Sequence, residues 1–297
     1  MYFLSKYKRG IYNRYRKEMD LSEMILKDIN YAFLKWKNFV RNGLKHRNML
    51  FYPHYPSRGS TLYKMANMLG YNVSNKPKRK VDFAVFWEYL TFRKEFDYLE
   101  GITEHVKVLN LQSRDISKVY VEKIQQQIFG YGTFIDPLTF EGVCVQKNDI
   151  NATHDGKVIQ CPIDKTEEGF IYQILIDNTD TGNRTKDIRV PIINGTIEFV
   201  YIKHRDINVR FKNPISSQPV KIEEALSKDE ISKLNSLCRE MNLEYGELDV
   251  LRDNTNGLIY VVDVNNTPQG PPDSTPKKEK TYVLNVMSKE FKKVFLN

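Results

Sequence analysis

Residues Gly246–Pro271 read GELDVLRDNTNGLIYVVDVNNTPQGP. Two runs rich in β-branched and apolar residues flank Asp-Asn-Thr-Asn-Gly, and Asn and Gly are the residues that accept the positive φ of a tight hairpin. The segment therefore predicts Asp249 on one strand, a turn at Asn254–Gly257, and Asp263 and Asn265 on the returning strand. Side chains two apart in a strand leave from the same face, so Asp263 and Asn265 point together and pairing brings Asp249 beside them. Two carboxylates and an amide oxygen make an all-oxygen set of the kind that holds Mg²⁺ while leaving sites for phosphate and water. An ordinary hairpin with a solvated acidic face has the same pattern, so the rest of the chain must separate the two.

The chain has 297 residues, enough for two domains or lobes with real cores. Its 41% hydrophobic and 28% charged residues are those of a soluble globular protein. No apolar run approaches the roughly 18 residues that span a bilayer, and the opening MYFLSKYKRG lacks a signal-peptide core, so a cytoplasmic location is expected. Cys144, Cys161 and Cys238 are too few and too scattered for a disulfide framework or a Cys-type zinc site, and read as small buried hydrophobes. The net charge of +8 suits nucleic acid, an anionic membrane surface, or an enzyme that binds nucleotides and carboxylates. Basic residues are densest at Lys6–Lys17 and Lys76–Lys80. The first run interleaves Tyr7, Tyr12 and Tyr15, which suits stacking on bases or a solvated helix face equally.

Leu21–Arg47 has apolar residues at three- and four-residue spacing, with Ser22 as the expected N-cap. Strands are expected at Met49–Tyr52, Val81–Trp87 and Val106–Leu109, with a helix at Ser60–Leu69, which gives a small α/β lobe. Beyond Ser113, Lys118–Phe129 reads as a helix. Val143–Lys147, Lys157–Cys161, Phe170–Ile176, Ile188–Ile193, Ile197–His204 and Val209–Phe211 read as strands. Ser227-Lys228-Asp229-Glu230 is a capping box opening a helix. Asp273–Lys280 reads as a loop before a final helix from about Leu284.

Asn266-Thr267-Pro268 follows the Asp263-x-Asn265 pair and completes a pattern that resembles the last motif of the ATP-grasp superfamily, nearest to its D-alanine–D-alanine ligase and peptide-glutamate ligase branches. Upstream segments resemble the family's earlier motifs in the same order. Asp115-Ile116-Ser117-Lys118 resembles its Asp-Lys entry motif, and Phe129-Gly130 to Asp136-Pro137 the helix-end segment that follows. Lys147 ends a strand before the polar loop 148–156, which holds only Gly156 where the family loop is Gly-rich. His154 in that loop is a candidate for phosphate or substrate contact, or a loop histidine in water. Ile171–Ile176 resembles the interlobe hinge, and Asp187–Asn213, reading DIRVPIINGTIEFVYIKHRDINVRFKN, resembles the corresponding block of ligases that add glutamate to peptides and proteins.

The resemblance implies an α/β (α+β) fold with an N-terminal helical segment (1–47), a small α/β lobe (48–113) and a two-lobed ATP-grasp domain (114–297) hinged near 171–177. It implies ATP and Mg²⁺, with Mn²⁺ as a substitute, and a metal held by Asp249, Asp263 and Asn265. Lys118, Lys147 and Lys203 would face phosphate; Tyr172, Gln173, Ile174 and Leu175 would read adenine; Asp177 or Asp180 would take the ribose; and Arg189, Arg205 and Arg210 would neutralise charge in the reaction. Converging guanidinium groups suit phosphates and carboxylates, although surface ion pairs give the same composition. The implied activity is a carboxylate–amine or carboxylate–thiol ligase acting through an acyl phosphate on a small-molecule or peptide carboxylate. An ATP-grasp kinase acting on a hydroxyl and a non-catalytic basic binding protein are the alternatives. No membrane span or nucleic-acid partner is expected, and a homodimer is compatible with the reading.

Overall fold

A computed structural model describes residues 20–41, 43–45, 47–77, 80–151, 153 and 155–296. The basic run Lys6–Lys17 and His154 lie outside them. The chain begins with helix α1 (Leu21–Arg41), which turns Met24 and Asn38 inward. Ser22, expected as its N-cap, sits inside the first turn, because Met24 N–H already bonds the Asp20 carbonyl at 3.1 Å. The mixed helices, parallel sheet and antiparallel sheets make an α/β fold.

Strands β1 (Arg47–Pro53), β2 (Tyr71–Ser74), β3 (Phe83–Trp87) and β4 (Val108–Leu109) form a parallel sheet in the order β2-β1-β3-β4. Helix α2 (Thr61–Met68) connects β1 to β2, with the Ser60 hydroxyl accepting from Tyr63 N–H. The short α3 (Asp97–Gly101) precedes β4. Helix α4 (Lys118–Phe129) follows, capped by the Ser117 hydroxyl and ended by Gly130 at φ 81, a left-handed position that costs Gly no Cβ clash.

A three-stranded antiparallel sheet, β6-β5-β7, comes next from β5 (Gly142–Asn148), β6 (Lys157–Cys161) and β7 (Phe170–Ile174). Residues Leu175–Asn178 lead from it into the largest sheet. That sheet runs β11-β10-β9-β12-β13, from β9 (Arg184–Ile193), β10 (Phe199–Asp206), β11 (Ser216–Lys221), β12 (Tyr245–Arg252) and β13 (Ile259–Asn265), with the short β8 (Thr179–Asp180) on β9. One face is apolar: Ile188, Val190, Val200, Ile202, Leu248 and Val264 bury against α4 and α6 (Lys228–Glu240). At roughly 1.5–3 kcal/mol per buried large aliphatic side chain, this face anchors the sheet and leaves the other for chemistry. The capping box Ser227/Glu230 opens α6 as expected, after the one-turn α5 (Ile222–Ala225).

Helix α7 (Lys277–Phe295) begins seven residues before the expected Leu284, with Pro276 as its N-cap residue, because Pro presets a φ that suits a helix start. Its Val283, Met287 and Phe291 join a second core with Phe51, Tyr63, Phe83 and Trp87, so the last helix completes the lobe built by β1–β4. Val209–Phe211, expected as a strand, is instead a 3₁₀ turn (Ile207–Val209) and bend, because the Asp206 carboxylate accepts Asn208 N–H at 2.8 Å and holds the turn closed. The three cysteines are buried free thiols. Among the described residues no helix is long and apolar enough to cross a membrane.

Candidate active site

The hairpin of β12 and β13 forms as the sequence predicts. Gly257 takes φ 74 and its N–H bonds the Asp253 carbonyl at 2.8 Å. Asp249 pairs directly with Asp263, and Glu247 with Asn265, with a bulge just beyond Asp249 that keeps both acids on one face. On its other side Asp249 lies opposite Arg189 of β9, and Lys203 of β10 lies opposite Asp187. Period-2 geometry thus collects Asp187, Arg189, Lys203, Glu247, Asp249 and Asp263 on the face turned away from α4 and α6.

The centre of this face is Asp249. Arg189 donates to it from Nε at 2.9 Å and from Nη2 at 3.0 Å, and Lys203 Nζ donates to Oδ1 at 2.8 Å. Arg189 Nη1 also lies 3.3 Å from Glu247 Oε2. Burial alone would raise the Asp249 carboxyl, but the charges and donors of Arg189 and Lys203 hold it well below the usual carboxylate range. Burial opposes the Arg189 charge too, yet Asp249 and Glu247 lift its pKa above the ordinary arginine value. Lys203 is fully buried, and burial lowers its pKa despite Asp249. Glu247 is pushed up to about 7, by burial first, with Asp249 adding to it and Arg189 opposing.

Asp263 is different. Its Oδ1 is buried with no hydrogen-bond partner among the described residues. Burial raises its pKa, offset in part by Lys118 and Lys147 and reinforced by Asp249. An unpartnered buried carboxylate oxygen of this kind is chemically suited to a cation. Asn265 Oδ1 accepts Thr267 N–H at 2.9 Å and the Thr267 hydroxyl at 3.4 Å, the second bond long enough for a cation to displace. A carboxylate offers about four lone-pair sites; three bonds occupy Asp249, which leaves it room for one more ligand. Among the described residues no three His, Cys, Asp or Glu side chains converge as a metal site, and the set here is two acids and an amide. These donors fit a hard divalent cation that retains water and phosphate ligands.

Lys118, the first residue of α4, donates to Asn151 Oδ1 at 2.9 Å. Asn151 Nδ2 in turn reaches the carbonyls of Ile116 (2.9 Å) and Val264 (3.2 Å), so the 148–156 loop is stitched to the helix start and to β13. Lys147 sits close enough to Asp263, Lys118 and Arg210 to feel all three; burial dominates and pushes it down to about 8. Other predicted residues are engaged with further partners. Arg205 pairs with Asp187 and donates to the Lys212 carbonyl at 2.7 Å, and Arg210 donates to Asn178 Oδ1 at 2.9 Å. Asp180 bonds His204 Nε2 at 3.0 Å, and Asp177 holds the Thr179 hydroxyl at 2.7 Å. In β7 the Ile174 N–H bonds the Thr133 carbonyl (2.8 Å) and the Tyr172 carbonyl accepts from Ile135 N–H (3.1 Å). The Gln173 side chain donates to the Thr133 hydroxyl at 2.7 Å. Two clefts of about 370 and 470 Å³, both bordered by Asn242 and Glu244, contain none of these residues.

No protein-family profile and no curated protein matches the chain. Solved structures do. D-alanine–D-alanine ligase from Bacillus anthracis matches at 14% identity, covering 84% of this chain and 96% of that one, with a TM-score of 0.52. The same ligase complexed with ATP matches at 13% identity over 84% and 94%, TM-score 0.53. The ATP-grasp ligase PsnB, complexed with the precursor peptide PsnA2 and AMPPNP, matches at 10% identity over 82% and 96%, TM-score 0.52. The chain has the ATP-grasp fold.

Within this ATP-grasp fold, sequence reasoning missed two residues on the charged face and one in the loop beside it. Glu247 stands two before Asp249, so the period-2 rule that joined Asp263 to Asn265 would have found it. Tyr201 stands two before Lys203 in the same way, and its hydroxyl feels Glu247. Asn151 carried no such signal, since its partners Lys118, Ile116 and Val264 are distant in sequence.

Proposed function

We propose that the protein is an ATP- and Mg²⁺-dependent ligase that activates a carboxylate as an acyl phosphate and joins it to an amine or thiol. The observation that carries this reading is the pairing of Asp249, held ionised by Arg189 and Lys203, with Asp263, whose buried oxygen has no partner. Asp263, Asn265 and the open site of Asp249 would hold Mg²⁺, which would supply Lewis-acid neutralisation of phosphate charge. Lys118 and Lys147 would cradle the phosphates as point charges. Arg189 would share its guanidinium between Asp249 and the transferring phosphoryl group, while Lys203 and Glu247 fix its position. Since Ile174 N–H and the Tyr172 carbonyl are engaged within the lobe, adenine recognition by backbone groups would fall to Leu175 and the residues after it. Phosphoryl transfer of this kind depends on positioning and preorganised charge rather than on a protein nucleophile.

Incubation with Mg-ATP, a candidate carboxylate and hydroxylamine tests the reading. A hydroxamate formed together with ADP is the expected result. ADP with a phosphorylated alcohol and no hydroxamate would replace the ligase by a kinase. Absence of any Mg-ATP-dependent thermal shift would remove the nucleotide site altogether.

A further inference from the structure

Helix α1 holds the β1–β4 lobe through its inner side, where Met24 and Asn38 are buried and Arg41 Nη2 donates to the Met68 carbonyl at 2.9 Å. Its outer side carries Leu26, Ile29, Phe33, Trp36 and Val40, which are between 48% and 63% exposed. The 3-4-3-4 spacing puts them in one line of about 21 Å at 1.5 Å per residue. Ile25 and Leu44 widen it and are exposed as well. Contiguous apolar surface of this extent marks a contact site rather than ordinary solvent-facing surface.

The spacing alone would suit a second copy of the helix, but two observations point to lipid. A two-stranded seam is built from Leu, Ile and Val. Here Phe33 and Trp36, with rings 6.1 Å apart, stand at its middle. Aromatic residues at such positions suit the headgroup–acyl boundary. The second observation is charge. Residues 1–19 contain Lys6, Lys8, Arg9, Arg14, Arg16 and Lys17 against the single acid Glu18, and they end at the start of α1. Between Asp28 and Asp82 the chain has no acidic residue at all, and the exposed Lys37 and Lys45 lie along and past the second half of the helix. A parallel pair of copies would bring these like charges together. An anionic surface would neutralise them.

We propose that α1 lies flat on an anionic lipid surface with its Leu26–Val40 stripe in the headgroup–acyl boundary, the positive charge of residues 1–19 adding to the attraction. This assigns a role to positive charge that the catalytic face does not use, and it stands whether or not the ligase reading holds. The contact would orient the β1–β4 lobe toward the membrane without any segment crossing it.

The test exploits the two tryptophans of the chain, because Trp87 is fully buried and only Trp36 can report on the outside. The full chain would be titrated with vesicles of phosphatidylcholine alone or containing about one third phosphatidylserine. A blue shift of Trp emission and at least about tenfold tighter partition onto the anionic vesicles are expected, weakening as salt screens the surface. Trp36→Phe should abolish the shift while vesicles still sediment the protein. Phe33→Ser with Trp36→Ser should lower partition at least about tenfold with Tm unchanged, since both positions are exposed. Deleting Met1–Lys17 should weaken binding and leave any ATP turnover within a few-fold. Equal partition onto both vesicle types, or none, overturns the proposal. So does a concentration-dependent dimer that the same two Ser substitutions dissolve, which would give the face to a second copy.

Discussion

Replacing Asp249 by Asn removes one negative charge from between two cations. Lys203 is fully buried, the Arg189 side chain is 24% exposed, and the Lys203 ammonium has Asp249 Oδ1 at 2.8 Å as its partner. Breaking a buried ion pair from one side costs about 3–5 kcal/mol, because the surviving charge stays desolvated. Glu247, 3.3 Å from Arg189, offsets part of this, so the lower end of the range applies. At about 2–4 °C per kcal/mol for a chain of this class, Tm should fall by roughly 10 °C. Differential scanning fluorimetry of Asp249→Asn at neutral pH reads the loss directly. Adding Lys203→Met should then restore at least half of it, since an apolar side chain of similar length leaves no orphaned charge. Mg-ATP turnover should stay absent in both variants. If Asp249→Asn melts within about 1 °C of the parent, or if the double variant melts lower still, the cluster is not held together in the way argued above.

Asp263→Asn should leave Tm unchanged or higher, because it removes a buried carboxylate whose pKa burial has raised, yet it should abolish Mg-dependent turnover, as should Asn265→Ala; full activity in both variants would refute the metal assignment. Lys147, with a folded pKa of about 8 against an ordinary 10.5, loses its charge as pH rises through 8. ATP affinity should then be about tenfold weaker at pH 9 than at pH 7, whereas Lys147→Arg should flatten the profile. Without nucleotide the sign reverses: the native state holds fewer protons than the unfolded chain between pH 8 and 10.5, so Lys147 makes stability rise with pH there, as chemical denaturation across that range would show. Gly246→Ala should cost about 1–3 kcal/mol in urea unfolding and weaken Mg²⁺ binding, since the new Cβ would stand 2.6 Å from the Asn265 carbonyl oxygen and 2.9 Å from Leu243 Cδ1.

The charged face was legible where period and turn chemistry act alone. Asp263, Asn265 and Asp249 follow from one hairpin, and Lys118 from a Ser-capped helix start ending at Gly130. What the sequence hid is long-range. Arg205 pairs with Asp187 and the Lys212 carbonyl, and Asp249 acts on it only through its charge. The short strands Tyr71–Ser74 and Ser216–Lys221 lie at sheet edges, where the alternation of apolar residues is weakest. The last helix packs Val283, Met287 and Phe291 on a lobe laid down far upstream, a contact that no local pattern shows.

That packing has a consequence for synthesis. The β1–β4 sheet leaves the ribosome long before the helix that covers it, and at ~5–20 residues per second the roughly 200 residues from Trp87 to Val283 take on the order of 10–40 s. Throughout that interval Phe51, Phe83 and Trp87 lack the cover that Phe291 and Met287 later provide. A lobe translated well before α7 is thus sealed only once α7 arrives. Its aromatic side chains would stay exposed until then, and removing α7 would strip their cover.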